Sequence, residues 1–405
     1  MKKSKKLLFR IELNYAFVQS GFWLAHLALQ GFSAVFLAYK GFSNTQIGVT
    51  NSVMSVLSIC FQLVVSSFSD YRSDIPIKKI MASLMLCSMI ASAMLIKLPL
   101  SILLVAIVYT IGGGIHNTNS ALINAQIMQY VNVGLDVNYG WPRGVGSMAY
   151  AIAAFILGTQ LDKHSPSILM PLYILLILLT IIACLLMPNV SSVASKSAAL
   201  YVQEKNSGRT TYLQILKGNR TLFCFLFASV LLYVGQTPNM LFLVKVVNSL
   251  GGGSKELGIC MLIQSGVEMP AMFVAPALLK KYKARRLLLL SFIAYAVKML
   301  IIAMSNSMST IYIAMFLSLL CYGLYGVSAS YFANDIVAQG EKVRAQGLVS
   351  LASYLGAIIG NLIAGVLIDG IGINALLHVS WVVLTFAAAI MFICARLDKK
   401  TALKL

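Results

Sequence analysis

Apolar runs of roughly twenty residues recur along the whole chain, separated by short polar segments. About twenty apolar residues are what an α-helix needs to cross the hydrocarbon of a bilayer. The pattern predicts an all-α integral membrane fold with twelve spanning helices, at 14–38, 45–69, 78–96, 101–129, 142–161, 168–187, 221–248, 256–280, 287–304, 309–335, 344–368 and 375–395. The longest polar stretch, 188–220, reads as a linker between six-helix bundles at 1–187 and 221–405. The halves share a faint register. Asn124 in the fourth run and Asn334 in the tenth lie 210 residues apart, and Asp70 and Lys280 close the second and eighth runs. Parallel six-helix repeats of this kind place a binding site near the membrane midplane.

Composition supports a bilayer as the solvent. Of 405 residues, 59% are hydrophobic and 11% charged, against about one quarter charged in soluble domains. The net charge of +19 would suggest nucleic acid if it lay along one face. Instead the basic residues form short clusters between apolar runs, so no nucleic-acid partner is expected. Alternating the runs from a cytoplasmic N-terminus puts 25 of the 31 Lys and Arg residues on the inner side. The positive-inside rule then expects a multi-pass inner-membrane protein with both termini cytoplasmic. The basic segment Met1–Arg10 is followed by Glu12 and Asn14 without a small-residue cleavage site, so the first run is expected to span rather than to be removed. The seven cysteines fall in apolar runs without CxxC spacing, and no P-loop, GxGxxG or HExxH pattern occurs. Neither a cofactor nor an enzyme is implied.

Polar residues inside the runs carry the candidate chemistry, because in hydrocarbon they face the bundle interior or a water-filled cavity. The first run holds Gln19, Trp23, His26, Gln30 and Ser33, within about 80° of arc at helical phase. The fourth holds His116, Asn117, Asn119, Ser120, Asn124 and Gln126. The seventh holds Tyr233, Gln236, Thr237 and Asn239 around Pro238, and the tenth Cys321, Tyr325, Ser328, Tyr331 and Asp335. Singly, such residues are ordinary interhelical hydrogen-bond partners. Together the stripes favour a polar cavity.

Two charges lie at similar depth: Glu268 in the eighth run and Lys298 in the ninth. They could pair structurally, or Glu268 could exchange a proton during a transport cycle. Arg143 opens the fifth run, where counting alone makes it a positive-inside anchor. Asp70 and Arg72, at the end of the second run, are candidate gating charges or plain loop residues.

These residues resemble the major facilitator superfamily, and within it the proton symporter group of the lactose permease and the phenylpropionate transporters. The resemblance runs over essentially the whole chain. Gly41-Phe-Ser-Asn-Thr-Gln-Ile-Gly48 resembles the first outer loop, and Ser66-Ser-Phe-Ser-Asp70-Tyr-Arg72 the family's G-x-x-x-D-R-x-G-R-R loop, with Ser66 and Tyr71 as departures. Tyr139-Gly-Trp-Pro-Arg143-Gly-Val-Gly-Ser147-Met-Ala-Tyr150 is similar to the substrate-binding segment of the fifth helix. That match implies a solute-binding Arg143, with Ser147 at a site cysteine and Tyr150 at a sugar-stacking tryptophan. It moves Arg143 from anchor to cavity. Asn124 falls at a substrate carboxylate, Glu268 about one turn from the acidic site position, and Lys298 at an arginine. The tenth helix departs: Cys321 and Leu324 replace the family's coupling His and Glu.

The resemblance implies a monomeric secondary transporter working by alternating access on a small polar solute, with a sugar or glycoside favoured and the proton gradient as coupling ion. Arg143, Asn124, His26, His116, Ser147, Tyr150 and Tyr325 are expected to contact solute. Glu268, Lys298 and, as second choice, Asp335 are expected to carry coupling. An exporter of amphipathic compounds, suited by the 19 Met residues, is the alternative. A solute sensor without flux ranks lower, as does a membrane enzyme or lipid scramblase.

Overall fold

The computed structural model describes residues 2–72, 74–97, 101–133, 135–137, 140–189, 212–338 and 341–402. Each expected run coincides with helix. The first is α1 (Lys2–His26), a π-helical turn (Leu27–Gly31) and α2 (Ser33–Tyr39). Next come α3 (Asn44–Tyr71), α4 (Ile77–Lys97), α5 (Ile102–Asn132), α6 (Gly140–Leu161) and α7 (Leu169–Leu185). A short α8 (Tyr212–Gly218) leads into α9 (Arg220–Leu241), α10 (Leu243–Ser249), α11 (Ser254–Lys281) and α12 (Ala284–Ala303). The tenth run divides into α13 (Met308–Phe316), a 3-10 turn (Leu317–Leu319) and α14 (Tyr322–Asp335); α15 (Lys342–Gly370) and α16 (Ile373–Ala402) complete the order.

Ten helical stretches among the described residues are long and apolar enough to cross a bilayer, and the bent pair Leu7–Gly31 and Ser33–Tyr39 makes an eleventh. The remaining expected span is α11. Its 28 residues would reach about 42 Å, long enough to cross the hydrocarbon, and Glu268 is the charged residue in its middle. Helix starts are fixed locally. The Ser101 hydroxyl accepts from the Leu104 amide at 3.4 Å and the Asn219 side chain from the Leu222 amide at 2.9 Å. At α11 the Glu256 carboxylate accepts from the Gly253 amide at 2.7 Å. Each supplies an acceptor to an amide that lacks an intrahelical partner.

Contacts gather the chain into two units. The first comprises Met1–Phe42, Val53–Ala154 and Lys163–Asn206; the second comprises Ser43–Ser52, Phe155–Asp162 and Ser207–Leu405. The 210-residue register extends into the backbone. Phe32 (φ −108°, ψ 26°) and Phe242 (φ −99°, ψ 15°) both interrupt their helices, and Gly41 and Gly251 share positive φ, 87° and 78°. Glycine tolerates that left-handed turn because it has no Cβ. The two breaks differ in their local backbone. The first run bends by 45° just after the π-helical turn, while the seventh stays α-helical through Pro238, which lacks an amide hydrogen for the helix ladder, and breaks four residues later.

Within the second unit two carboxylates cap helix starts in matching fashion. Asp162 accepts from the amides of Ser254 and Lys255 at 2.7 and 3.1 Å. Asp369 accepts from the Thr45 amide and hydroxyl at 2.7 and 2.6 Å and from the Asn44 side chain at 2.7 Å. Close backbone approach accompanies both caps: a Cβ on Gly158 would collide with the Ser254 carbonyl, and one on Gly365 with the backbone of Asn44 and Thr45.

Candidate functional site

In the first unit the polar face of α1 is tied to α5 and α6. The Trp23 indole donates to Gln19 Oε1 at 3.1 Å, and Gln19 Nε2 donates to the Tyr15 hydroxyl at 2.7 Å and, at 3.5 Å, to Asn124 Oδ1. The Arg143 guanidinium lies 4.7 Å from the Trp23 ring centre and donates to Ser147 Oγ at 2.8 Å. Gly146 lets α6 approach the Gln19 backbone closely. Tyr150 meets Trp23 edge to face with centroids 6.4 Å apart, and its hydroxyl lies beside Gly31. Arg143, Ser147, Tyr150 and Asn124 therefore share one cluster, organised by Trp23 and Gln19. A guanidinium over an indole face is held by the ring quadrupole.

His26 and His116 adjoin this cluster, with ring centroids 5.7 Å apart. The His116 ring stacks on Phe22 at 4.6 Å and 6°, and His116 is fully enclosed, at 0% exposure. Its Nδ1 lies 3.2 Å from the Tyr173 hydroxyl, which lies 2.6 Å from Ser88 Oγ. Ser88 gives its own proton to the Gly112 carbonyl at 2.8 Å. Tyr173 must then donate to Ser88, so His116 Nδ1 is the protonated nitrogen and donates to Tyr173. In this structure His116 packs as a buried layer behind His26. The phase of the first-run stripe also ends at His26, because the π-helical turn redirects the residues beyond it. Gln30 donates to Asn117 Oδ1 at 2.6 Å instead, and Ser33 is buried. Phe22, Tyr15 and Tyr173 do not stand out in the sequence, since aromatic residues at helical spacing look like core. The four-residue spacing Tyr15–Gln19–Trp23 is the signal that could have found the first of them.

The second unit holds the other candidates. Lys298 in α12 is 3% exposed and donates to Ser318 Oγ at 2.7 Å and Gln264 Oε1 at 3.2 Å. Of the two readings left open for Glu268 and Lys298, the structural ion pair is not formed: among the described residues the ion pair within 4.0 Å is Arg72 with Asp74. Glu268 is half-buried in α11, where Gly323 allows α14 close to its backbone. Lys298 thus has neutral hydrogen-bond partners at its own depth. Tyr325 is buried, with its ring edge to face with Tyr233 at 5.7 Å and tilted to Phe292 at 6.0 Å.

The tenth-run stripe does not share one environment. Cys321 sits outside helical geometry (ψ −101°), Tyr325 and Ser328 are buried, and Tyr331 and Asp335 are exposed. Asp335 sits exposed at a helix end, lining a cavity with Lys280 and Lys283. Of the gating pair, the side chain of Asp70 lies outside the described residues. Arg72 instead holds Asp74 through two bonds of 2.9 and 3.0 Å, which keep the Asp74 carboxyl below its ordinary value.

The model of a family described as "MFS_1 like family" matches residues 22–392. A xanthosine permease of Escherichia coli (strain K12) is 23% identical over 144 residues, a match spanning 34% of this chain and 34% of that permease. Among solved structures, the nucleoside transporter NupG superposes with a TM-score of 0.76 at 18% identity, covering 97% of this chain and 99% of that one. A point mutant of NupG gives 0.76 at 17% identity, covering 96% and 98%. The structural likeness speaks for the fold.

Proposed function

This chain belongs to the MFS_1 like family of membrane transporters, and from that premise we propose that it is a secondary transporter, not an enzyme, moving a nucleoside by alternating access. A nucleoside is a glycoside whose aglycone is a flat heteroaromatic base. That keeps the glycoside class expected from the sequence and adds a stacking partner. The observation that carries the reading is the Arg143–Trp23 pair, flanked by Tyr150, Gln19 and Asn124. Aromatic faces suit a base, while amide and guanidinium groups suit its carbonyls and the sugar hydroxyls. The nucleoside relatives point the same way.

In this reading His26 completes the wall of the site, with His116 behind it. Glu268 carries the coupled proton, and Lys298 sets the field around it. The bundles at 1–187 and 221–405 rock as units joined by 188–220. The protein works as a monomer in the inner membrane with both termini cytoplasmic. The deciding experiment is uptake of labelled nucleosides and disaccharides by proteoliposomes with an imposed pH gradient. Concentrative nucleoside uptake is expected. Uptake of disaccharide alone would move the substrate to the sugar class, and extrusion of amphipathic dyes alone would move it to the exporter class.

A further inference from the structure

We infer that a groove on the second unit, between α11, α12 and the broken tenth span, holds one anionic phospholipid. The groove has a volume of about 490 Å³ and is lined along its length by apolar side chains, among them Val274, Leu290, Leu319 and Leu324. Three of these are strongly exposed: Val274 at 52%, Leu290 at 43% and Leu319 at 40%. Tyr282 and Arg286 line the same groove, at the junction of α11 and α12.

The groove follows from the break in the tenth span. The 3-10 turn Leu317–Leu319 directs neighbouring residues to opposite sides. Ser318 is fully buried and receives Lys298, while Leu319 faces outward. A continuous helix would present a different face here. An open apolar furrow forfeits dispersion contacts unless something fills it, and in a bilayer the available filler of that shape is an acyl chain.

Charge selects which lipid. Lys280, Lys281, Lys283, Arg285 and Arg286 fall within seven residues at the junction of α11 and α12. The Lys281 ammonium lies 5.6 Å from the Tyr282 ring centre. Lys280, Lys283 and Arg285 line a separate cavity of about 580 Å³ together with Asp335. Arg286 on the furrow wall, part of this basic junction, matches a headgroup with net negative charge and disfavours one that also carries an ammonium. Guanidinium binds phosphate oxygens bidentately, and basic pockets between spanning helices are where anionic headgroups settle.

The test is native mass spectrometry of the purified full chain after exchange from nanodiscs containing equal phosphatidylglycerol and phosphatidylethanolamine. One phosphatidylglycerol should be retained in preference by about tenfold, the scale of one charge-assisted contact. Arg286→Gln should remove that preference. Leu290→Trp, which fills the furrow and leaves every cation in place, should remove the retained lipid. Equal retention of both lipids by the wild-type chain, which needs no variant, overturns the proposal. So does retention that survives Leu290→Trp, because it would mark a basic surface without a groove. Displacement of the lipid by millimolar inorganic phosphate would also overturn it, by showing a site for the free anion.

Discussion

Lys298 gives a 2.7 Å hydrogen bond to Ser318, the one buried residue of the 3-10 turn that interrupts the tenth span. The contact joins a buried cation to a point where the backbone has left α geometry. Ser318→Ala removes one of two side-chain partners of that cation, Gln264 remaining. A loss of about 1–3 kcal/mol in stability is expected, the scale of a buried charged group left short of a partner. Thermal unfolding with and without Ser318→Ala checks it, and an unchanged transition would show that the contact contributes nothing.

Lys298→Met should act in the opposite sense on stability. Replacing a buried cation by an apolar side chain of similar length is often neutral or favourable. Coupling should suffer while the fold holds. The comparison to make is the unfolding temperature against pH-driven uptake in the same variant. Loss of both together would assign Lys298 a structural role.

Glu268→Gln keeps the shape of a half-buried side chain and removes its exchangeable proton. Accumulation driven by a pH gradient should vanish, while exchange of solute across the membrane without a gradient should persist. Intact concentrative uptake in Glu268→Gln would exclude Glu268 as the coupling group.

Arg143→Lys turns a planar fork stacked on Trp23 into a point charge. Solute affinity should fall by roughly tenfold, in line with about 1–2 kcal/mol for a desolvated cation–ring contact plus a lost hydrogen bond. Trp23→Leu should cost a similar amount, and the double variant should cost less than the sum because the two residues act as one. Additive losses measured by ligand titration would separate them.

Asp369→Ala leaves the Asn44 and Thr45 amides at the start of α3 without their carboxylate. Loss of a helix cap costs about 0.5–2 kcal/mol. Asp369→Asn, which keeps an acceptor oxygen, should recover part of that loss in thermal unfolding. Equal behaviour of the two variants would assign the effect to charge alone.

The chain order of hydrophobic runs was enough to place helix at each of the twelve expected runs, ten or eleven of them long and apolar enough among the described residues to cross a bilayer, because roughly twenty consecutive apolar residues admit few other solutions in hydrocarbon. The internal repeat was legible through one asparagine pair and extends to Phe32/Phe242 and Gly41/Gly251. Helical phase also drew Gln19 and Trp23 onto one face, where they meet Arg143 and Asn124.

Tertiary structure decided what phase alone could not. The π-helical turn after His26 changes the rotation per residue, so the first-run stripe drawn at a constant 100° splits there. The tenth-run stripe lies beyond its 3-10 turn and divides along one helix, buried at Tyr325 and Ser328 and exposed at Tyr331 and Asp335. Similar depth did not make Glu268 and Lys298 a pair, since depth fixes one coordinate and hydrogen-bond partners depend on the other two. Lys298 found Gln264 and Ser318. Asp335 closes the expected tenth span, and it lies exposed at the end of α14. Sequence sets which side chains reach the membrane and in what order; packing between helices chooses the partners that satisfy each buried polar group.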